Sequence, residues 1–361
     1  MTIRVGVNGF GTIGKRVADA VARQPDLQLV GVAKTRPTFE ARRAVDRGYP
    51  LYVSGEGSPE RFEAVGLPVA GRLSDLLGKV DVVIDATPED VGRENRALYD
   101  AAGVRAVYQG GEEADVAEGS FSALANYEAC RGKRTLRVVS CNTTGITRAA
   151  AVLLPRWGVE HWEVTLVRRA ADPGESKRGP VDGIVPTLDV PSHHGPDAQT
   201  VLPGLPIATT AVVVPTTLMH VHVNHVRLRR APADATEVVE AFRGTPRFHV
   251  FAPWERVDGT PQVMEFARDR WGRDGIRGPD MMENVLWERG VSVHGPDVHF
   301  FQAIHQESIV IPENIDAIRA MLELADGPTS IATTDRALGI GRARGAARPR
   351  AAAATPVRRK A

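Results

Sequence analysis

The sequence predicts an α/β protein in two parts: an N-terminal doubly wound domain with a parallel sheet, and an α+β domain with a mostly antiparallel sheet. Two observations carry this prediction. Short apolar segments alternate with helical patterns as far as residue 139, and from residue 163 onward longer segments of alternating polarity lie between proline-rich loops. Strands that are apolar on both faces and separated by helices indicate a parallel sheet with covered faces. Alternating polarity is typical of a half-exposed antiparallel sheet.

The predicted elements of the first domain follow one another in the order of a doubly wound fold. We assign residues 1–139 to this domain. Its strands are expected at Ile3–Asn8 and at residues 27–33, 80–86, 106–108 and 137–139, with helices at residues 15–23 and Val91–Ala102.

The remaining chain is divided into a second domain, a returning helix and a tail. The second domain covers residues 140–302, with strands expected at residues 163–169 and 210–229. Residues 312–322 begin with a helix-start signal and have apolar residues at helical spacing. We expect this helix to pack back on the first domain, which would then also include residues from about 303 to 340. Residues 341–361 contain mainly Arg, Ala, Gly and Pro without apolar periodicity, which predicts a disordered basic tail.

The composition argues against several classes of function. A formal net charge of +1 with 25% charged residues gives no global electrostatic reason to bind nucleic acid or an acidic membrane. The two cysteines, Cys130 and Cys141, cannot form a disulfide framework and lack zinc-type spacing. No apolar stretch is long enough to span a membrane, and the first residues enter a strand rather than a signal peptide. We therefore expect a cytoplasmic protein that binds neither membrane nor nucleic acid.

A glycine-rich turn directly follows the first strand. Gly9, Gly11 and Gly14 form a G-x-G-x-x-G pattern that opens a helix. In a Rossmann domain such glycines permit a tight turn and the close approach of backbone to a pyrophosphate, whose charge lies on the helix N-terminus. The order of strand, turn and helix favours a dinucleotide site over a turn without a ligand.

Residues at the end of the second strand bear on which dinucleotide is bound. An acidic residue about twenty positions beyond the glycines usually accepts the ribose 2′-hydroxyl of NAD. Lys34, Thr35 and Arg36 stand in that neighbourhood, with no carboxylate to repel a 2′-phosphate. We expect NADP to be accepted, alone or beside NAD. The alternative is that Lys34 and Arg36 are solvated loop charges.

Cys141 stands where a predicted strand passes into a predicted helix. Residues 137–139 indicate the strand, and an apolar run as far as Leu154 indicates the helix. The thiol should then lie near the free N–H groups and the positive dipole end of the helix, which lowers a thiol's pKa and favours the thiolate that attacks carbonyl groups. A lone cysteine can also be structural. The dinucleotide turn and a histidine-bearing strand downstream favour catalysis.

Residues 214–224 predict the strand that carries the partner of this thiol. Period two places His220, His222 and Asn224 on one face, opposite an apolar face. Two histidines on one face could hold a metal ion, but the sequence has no third ligand pattern, so no metal is expected. A structural role is the default for either histidine. Because a cysteine enzyme needs an imidazole that takes and returns the thiol proton, His220 is the preferred general base and His222 the second choice.

A third group of residues is suited to binding an anion. Arg168 and Arg169 end the strand that begins at Glu163, and residues 192–195 form a loop with two adjacent histidines. The planar fork of arginine matches phosphate oxygens. Because adjacent residues on a strand point to opposite faces, at most one of the two arginines should reach a given ligand. Ordinary surface arginines are the alternative.

At these residues the chain resembles the archaeal-type (type II) phosphorylating glyceraldehyde-3-phosphate dehydrogenases. The similarity covers nearly all of residues 2–325. It consists of blocks in order, at residues 8–16 (NGFGTIGKR), 108–112 (YQGGE), 140–145 (SCNTTG), 168–173 (RRAADP), 190–197 (VPSHHGPD), 215–220 (PTTLMH) and 304–308 (IHQES). Several blocks in order are more specific than any one. The tail and the basic residues 226–230 depart from the family pattern, and neither touches the expected chemistry.

The resemblance implies NAD(P)-dependent, phosphorylating oxidation of D-glyceraldehyde 3-phosphate to 1,3-bisphosphoglycerate, a reversible step of glycolysis and gluconeogenesis. By that analogy Cys141 attacks the aldehyde to give a thiohemiacetal. His220 accepts its proton as hydride leaves for the nicotinamide, and inorganic phosphate attacks the resulting thioester. The family also implies a homotetramer and the use of both NAD and NADP.

The same resemblance assigns residues to ligands. Those expected at the cofactor are Gly9, Gly11, Thr12, Ile13, Gly14, Lys34, Thr35, Gly111, Arg169 and one glutamine, either Gln302 or Gln306. Those expected at the substrate or phosphate are Ser140, Asn142, Thr143, Arg168, His193 and His194.

Two other interpretations stay open at this point. A related cysteine semialdehyde dehydrogenase would join the same turn and nucleophile to a substrate that carries a carboxylate. One arginine in the anion pocket would indicate a carboxylate, whereas several donors including His193 or His194 would indicate a phosphate. A non-catalytic nucleotide-sensing protein, binding nucleic acid through residues 344–360, would leave the pair of Cys141 and His220 without a purpose.

Overall fold

In the residues that the structure describes, the first part of the chain forms a parallel sheet of eight strands. The computed structural model describes residues 2–109, 111–171, 182–274 and 280–341. The strands are β1 Ile3–Asn8, β2 Leu27–Lys34, β3 Leu51–Val53, β4 Gly71–Arg72, β5 Val82–Asp85, β6 Arg105–Gln109, β7 Ser120–Phe121 and β8 Thr135–Val138, in the order β4-β3-β2-β1-β5-β6-β8-β7. The helices are α1 Thr12–Val21, α2 Phe39–Asp46, α3 Pro59–Glu63, α4 Leu73–Leu77, α5 Val91–Ala102 and α6 Ala123–Asn126. All strand pairs are parallel, so the predicted doubly wound sheet is confirmed.

A long helix opens the second part, whose described residues build another sheet of eight strands. This helix is α7 Cys141–Trp157, and the later helices are α8 His194–Val201, α9 Ala235–Arg243 and α10 Thr260–Asp274. The strands are β9 Val159–Arg169, β10 Val185–Pro186, β11 Ile207–Val214, β12 His220–Leu228, β13 Phe248–Phe251, β14 Asn284–Trp287, β15 Ser292–His294 and β16 Asp297–Ile304. Their order is β10-β11-β9-β12-β16-β14-β13, with β15 on β16. Only β9–β11 and β13–β14 are parallel among the described pairs, so the mostly antiparallel α+β domain is confirmed.

The single strand expected at residues 210–229 is two strands, β11 and β12, which flank β9 on opposite sides. Pro215 lacks the N–H that a central strand needs, and Met219 has φ of 64°, in the left-handed region. The break brings His220 to the start of β12, beside the end of β9.

The final helices, α11 Ile311–Met321 and α12 Gly327–Leu338, return to the first sheet. Ile315 and Ile318 of α11 share one buried apolar cluster with Val5 and Val17. The boundaries between the two domains stay a prediction. Apart from Gly341, the predicted tail at 341–361 lies outside the described residues.

A buried ion-pair network joins α7 to α11. The Nη2 of Arg148 lies 2.6 Å from Oε1 of Glu313, and the Nη1 of Arg247 lies 3.0 Å from the same oxygen. Arg247 also pairs with Asp316. These four side chains have no solvent exposure. The helix that begins at Cys141 is therefore tied by charge as well as by apolar packing to the part of the chain that carries the dinucleotide turn.

The strand β12 turns its polar face inward. His220, His222 and Asn224 are buried, at 5%, 0% and 1% exposure, whereas Val223 on the opposite face is 39% exposed. Polar side chains tolerate burial when they are hydrogen-bonded. The inward face of β12 meets α7, whose Gly145 packs so closely on β16 that an added Cβ would lie 2.4 Å from Cδ1 of Ile304. This contact brings the histidines to the first turn of α7.

Candidate active site

Cys141 is the first residue of α7, immediately after the sheet strand β8 has ended. Ser140 caps the helix, because its Oγ accepts a hydrogen bond from the N–H of Thr143 at 3.3 Å. The Cys141 side chain is only partly exposed. The thiol thus has the strand-to-helix position that the sequence indicated.

Cys141 lies in a cavity of about 480 Å³ between the two sheets, to which both parts of the chain contribute. Twelve of the expected site residues line it: Thr12, Ile13, Gly111, Ser140, Cys141, Asn142, Arg168, Arg169, His193, His194, His220 and Gln306. Three further polar residues, unassigned by the sequence, also line it: Glu89, Gln109 and Glu307. Gly9, Gly11, Gly14, Lys34, Thr35, Thr143 and Gln302 do not line this cavity.

The glycine-rich turn at the edge of this cavity fits a dinucleotide pyrophosphate. Gly9 has φ of 93°, and a Cβ there would lie 2.5 Å from the carbonyl oxygen of Ala86. A Cβ at Gly14 would lie 1.8 Å from the carbonyl oxygen of Gly9, whereas one at Gly11 would meet nothing within 4 Å. No side chain caps α1 in the described structure, so its first N–H groups are left to a partner other than a capping side chain. An anion at a helix N-terminus needs this arrangement.

The environment of the Cys141 thiol differs from the expectation. Burial raises its pKa to about 11, against the opposing effects of the Arg169 guanidinium, the Asn142 N–H and the Arg168 guanidinium. The Glu307 carboxylate raises the pKa further. The prediction that the helix N-terminus lowers the pKa of the Cys141 thiol is therefore wrong for the protein without bound ligands. Desolvation raises this pKa by more than the helix dipole and the nearby cations lower it. Most of the thiol is protonated at neutral pH.

This pKa predicts how Cys141 reacts with iodoacetamide in the cofactor-free protein. Only the thiolate reacts, so the alkylation rate should rise about tenfold for each pH unit between 7 and 10. The measurement is the pseudo-first-order rate in a Cys130→Ala background, because Cys130 is the other cysteine in the chain. A rate that is already constant above pH 7 would show a lowered pKa and contradict the prediction.

Glu307 is a charged residue of the cavity wall to which sequence reasoning assigned no role. Its Oε2 lies 2.7 Å from Nε2 of His305, and its Oε1 lies 3.8 Å from Nη1 of Arg169. Burial alone would raise the pKa of this carboxyl, but His305 and Arg169 hold it below its usual range. Glu307 is therefore ionised, and it holds Arg169 at the wall of the cavity. The sequence block at residues 304–308 contains Glu307, but it does not indicate which residue of the block reaches the cavity.

His220 is fixed in one tautomer by the backbone of β9. Its Nδ1 accepts a hydrogen bond from the N–H of Arg169 at 3.0 Å. A neutral imidazole that accepts at Nδ1 carries its proton on Nε2. Burial, with Arg169 and His222 adding to it, lowers the pKa of His220 well below the usual value, so the ring is neutral. In the described arrangement His220 is a hydrogen-bond donor through Nε2.

His222, the second choice for the base, is enclosed in a hydrogen-bond chain. Its Nδ1 lies 3.0 Å from Nε2 of Gln302, and its Nε2 lies 2.9 Å from Oδ1 of Asn142. The amide of Gln302 also accepts from Nδ2 of Asn284 at 2.9 Å. Burial lowers the pKa of His222 to about 3. Both ring nitrogens are engaged, so His222 orients Asn142 and has no free nitrogen for the thiol.

The hydrogen-bond chain continues from Asn142 to His194 and changes the expected role of His194. Nδ2 of Asn142 lies 3.4 Å from Nε2 of His194, and Nδ1 of His194 lies 3.1 Å from Oγ of Ser192. Burial lowers the pKa of His194 to about 2, with His193 adding to the effect, so the ring is neutral. Both ring nitrogens of His194 are thus engaged with protein partners, whereas the Nδ2 amide of Asn142 has a second N–H beyond its contact with His194. The role of the Asn142 side chain at the substrate stays a prediction. The N–H of Asn142, which faces the Cys141 sulfur, remains a candidate contact.

Thr143 also differs from its expected role at the substrate. Its side chain is fully buried, and its Oγ1 donates to Oδ2 of Asp197 at 2.5 Å. Asp197 in turn accepts from Nη2 of Arg137 at 2.6 Å. Thr143 therefore holds α8, and with it the His193–His194 loop, against the first turn of α7.

Both arginines at the end of β9 line the cavity, although the alternation of strand side chains suggested that only one would reach a ligand. Arg169 Nη1 donates to the carbonyl oxygen of Ala171 at 2.5 Å and lies near Glu307. The Nε of Arg168 is buried and has no hydrogen-bond partner within the described ranges. An unpaired buried guanidinium N–H is costly, so Arg168 is the stronger candidate for an anion.

Comparisons with known proteins identify the relatives of this chain. A family model described as the C-terminal domain of glyceraldehyde 3-phosphate dehydrogenase matches residues 140–277, and one described as the N-terminus of dihydrodipicolinate reductase matches residues 3–110. The glyceraldehyde-3-phosphate dehydrogenase of Thermococcus kodakarensis is 50% identical over 343 residues, or 94% of this chain and 99% of the relative. That of Halobacterium salinarum is 51% identical over 339 residues, or 94% and 100%.

The chain belongs to the glyceraldehyde-3-phosphate dehydrogenase family. The resemblance seen in the sequence blocks is thereby confirmed, and the protein is an oxidoreductase of this family. The family and the Rossmann-type first domain support a nicotinamide cofactor. No helix in the described ranges is long and apolar enough to cross a membrane.

Lys34 lies beside the carboxylate of Glu40, a residue that the sequence blocks did not indicate. Its Nζ lies 3.6 Å from Oε2 of Glu40 and 3.3 Å from the carbonyl oxygen of Phe10 in the glycine-rich turn. The expectation that no carboxylate is near was wrong, because the first turn of α2 brings Glu40 back to the end of β2. Oγ1 of Thr35 lies 3.4 Å from Oγ of Ser54, so it is directed to a protein partner.

In this dehydrogenase the two candidate glutamines occupy different surroundings. Gln302 is fully buried between Asn284 and His222, whereas Gln306 lines the cavity and has a buried Oε1 without a partner in the described chain. Gln306→Leu is expected to weaken dinucleotide binding about tenfold through loss of one buried hydrogen bond. Gln302→Leu should leave the Kd unchanged, because its amide serves His222.

Titration of both variants with NAD and NADP, followed by protein fluorescence, would measure the difference. A loss of affinity in Gln302→Leu alone would assign the cofactor contact to Gln302 instead. Circular dichroism of both variants is the control for folding.

Proposed function

We propose that this protein catalyses the reversible, phosphorylating oxidation of D-glyceraldehyde 3-phosphate to 1,3-bisphosphoglycerate, with NAD or NADP as the hydride acceptor. The observation that carries the proposal is the convergence of Cys141, His220 and Arg168 on one cavity that also meets the glycine-rich turn. Such a cavity supplies a nucleophile, a hydrogen-bond donor and an anion site around one reacting carbon.

The chemistry begins with the minor thiolate fraction of Cys141, which is in equilibrium with the protonated thiol and has released its proton to solvent. The thiolate sulfur bonds to the aldehyde carbon while the carbonyl π electrons move to oxygen. The resulting thiohemiacetal alkoxide is stabilised by the Nε2–H of His220 and the N–H of Asn142, which act as an oxyanion site. When bound, the nicotinamide accepts hydride from that carbon. The C=O bond re-forms as hydride leaves, so a thioester on Cys141 remains and no proton transfer is needed in that step.

The acyl group then passes from Cys141 to inorganic phosphate. An oxygen of hydrogenphosphate bonds to the thioester carbon, the carbon–sulfur bond breaks, and Cys141 is released as thiolate. The proton of the hydrogenphosphate passes to solvent. Arg168, with its unpaired Nε, and the side chains of Ser140 and His193 are the proposed ligands of the phosphate groups. In this scheme His220 takes part first as a donor, whereas the sequence-based proposal gave it the role of general base.

The testing experiment is NAD and NADP reduction by the purified protein with D-glyceraldehyde 3-phosphate, with and without inorganic phosphate, beside Cys141→Ser. We expect turnover that requires phosphate and is absent from the variant. Turnover with a semialdehyde substrate but not with the aldehyde phosphate would favour the related semialdehyde dehydrogenase. Activity that survives in Cys141→Ser would exclude this sulfur as the nucleophile.

The proposal includes use of both cofactors, a cytoplasmic location and a homotetramer. The outward face of β12 and β16 supports self-association, because Val223 and Phe301 are 39% and 44% exposed there on adjacent strands. Analytical ultracentrifugation of the full chain tests it, with a mass near four times that of the chain expected.

A further inference from the structure

Glu40 and Lys34 form a charged pair at the rim of the dinucleotide turn. The carboxylate Oε2 of Glu40 lies 3.6 Å from Nζ of Lys34, and both side chains are largely buried, at 18% and 16% exposure. Burial alone would raise the pKa of Glu40, but the Thr38 hydroxyl, the backbone and the ammonium groups of Lys34 and Lys15 hold it below its usual value. Glu40 is therefore an ionised carboxylate at neutral pH.

The position of this pair relates it to the ribose of a bound dinucleotide. Lys34 is the last residue of β2, and its Nζ lies 3.3 Å from the carbonyl oxygen of Phe10, between Gly9 and Gly11. In Rossmann domains the end of the second strand lies beside the adenosine ribose, where a carboxylate accepts the 2′-hydroxyl of NAD and a cation accommodates the 2′-phosphate of NADP. Here one residue of each kind meets at that point.

We propose that Glu40 is the specificity-determining carboxylate of this site, holding NAD through its ribose and opposing the 2′-phosphate of NADP. The inference rests on the proposed dinucleotide function of the glycine-rich turn. Glu40 supplies the acidic group that is missing at residues 34–36, but from the first turn of α2 rather than from the end of β2.

The surrounding charges set the direction of the effect. Two ammonium groups act on Glu40, those of Lys34 and Lys15, and the Nζ of Lys15 lies 5.7 Å from the ring centroid of Phe39, the residue before Glu40. With Glu40 ionised, the Lys34 ammonium is paired and its attraction for a phosphate is reduced. When the Glu40 charge is removed, the ammonium groups of Lys34 and Lys15 are no longer neutralised by it. Both can then attract the 2′-phosphate of NADP, because an opposite charge within several ångströms stabilises an anion.

The test is direct binding of NADP and of NAD to the full-length protein by isothermal titration calorimetry. Glu40→Gln is expected to lower the Kd for NADP about tenfold and to raise the Kd for NAD. Asp46→Asn, at the other end of the same helix and with an exposed carboxylate, is the matched charge control and should leave both values unchanged. Glu40→Asp keeps the charge and should keep the ratio of the unaltered protein.

The outcomes separate this inference from the proposed function. If NAD and NADP bind but their Kd ratio is the same in Glu40→Gln as in the unaltered protein, the role of Glu40 is overturned and the dinucleotide site stands. If Asp46→Asn changes the ratio as much as Glu40→Gln, the effect is a general charge effect and the inference also fails. If neither dinucleotide binds the unaltered protein, both the inference and the proposed function fail.

Discussion

Replacement of His220 by alanine is expected to lower kcat by about 10² to 10³-fold, the usual loss when one donor to a developing oxyanion is removed. The Nε2 proton of His220 is fixed by the hydrogen bond that Nδ1 accepts from Arg169. His220→Gln would keep an N–H near the same position, and we expect it to recover about tenfold of the alanine loss for that reason. Steady-state kinetics of the aldehyde phosphate reaction would measure both variants.

The glutamine variant distinguishes the donor from the general base. Glutamine donates a hydrogen bond but cannot accept a proton at neutral pH. If His220 were required as a base, His220→Gln would be as slow as His220→Ala. The lowered pKa of His220 also means that the ring does not titrate between pH 6 and 8, so the pH profile of kcat should show no limb from it in that range. His161→Gln, an exposed histidine on β9, is the control and should leave kcat unchanged.

The second large effect is expected on stability, from Glu313→Ala. Glu313 accepts hydrogen bonds from Nε and Nη2 of Arg148, from Nη1 of Arg247 and from the N–H of Ala123. Although burial alone would raise the pKa of Glu313, the two guanidinium groups hold it below its usual range. Its removal leaves the buried Arg148 guanidinium without its carboxylate, whereas Arg247 keeps Asp316 and Asp335. Loss of the partner of a buried charge costs about 3–5 kcal/mol of the free energy of unfolding.

Urea denaturation followed by circular dichroism would measure this loss. Asp115→Ala is the matched control, because Asp115 pairs with Arg93 at the surface with 72% exposure and should contribute at most about 1 kcal/mol. If both variants lost the same free energy of unfolding, the buried network would not be a major contributor to stability.

Much of the fold could be predicted because its signals are local. The strand, glycine turn and helix at Gly9 to Gly14 need only a short segment to be recognised, and Cys141 lies at a boundary that the apolar runs on either side define. Strand periodicity also placed His220 and His222 on one face, although it could not show that this face is the buried one.

The remaining features depend on contacts between distant residues. Glu40 reaches Lys34 only because α2 turns back, and Gln302 meets His222 across paired strands 80 residues apart. The raised pKa of Cys141 results from burial by both parts of the chain, whereas a helix N-terminus alone would lower it. Periodicity and motif spacing describe neighbouring residues and therefore cannot predict these long-range contacts.

The helix α7 places a constraint on length as well as on residue identity. Cys141 and Arg148 lie on the same helix, seven positions or about two turns apart, and so project from the same side. Deleting one residue between them would rotate the Arg148 guanidinium by about 100° around the axis, away from Glu313. Inserting one would do the same in the other direction. The number of residues that separates the nucleophile from its anchor must therefore stay the same, in addition to the demands that the fold makes on the identity of individual residues such as Gly145.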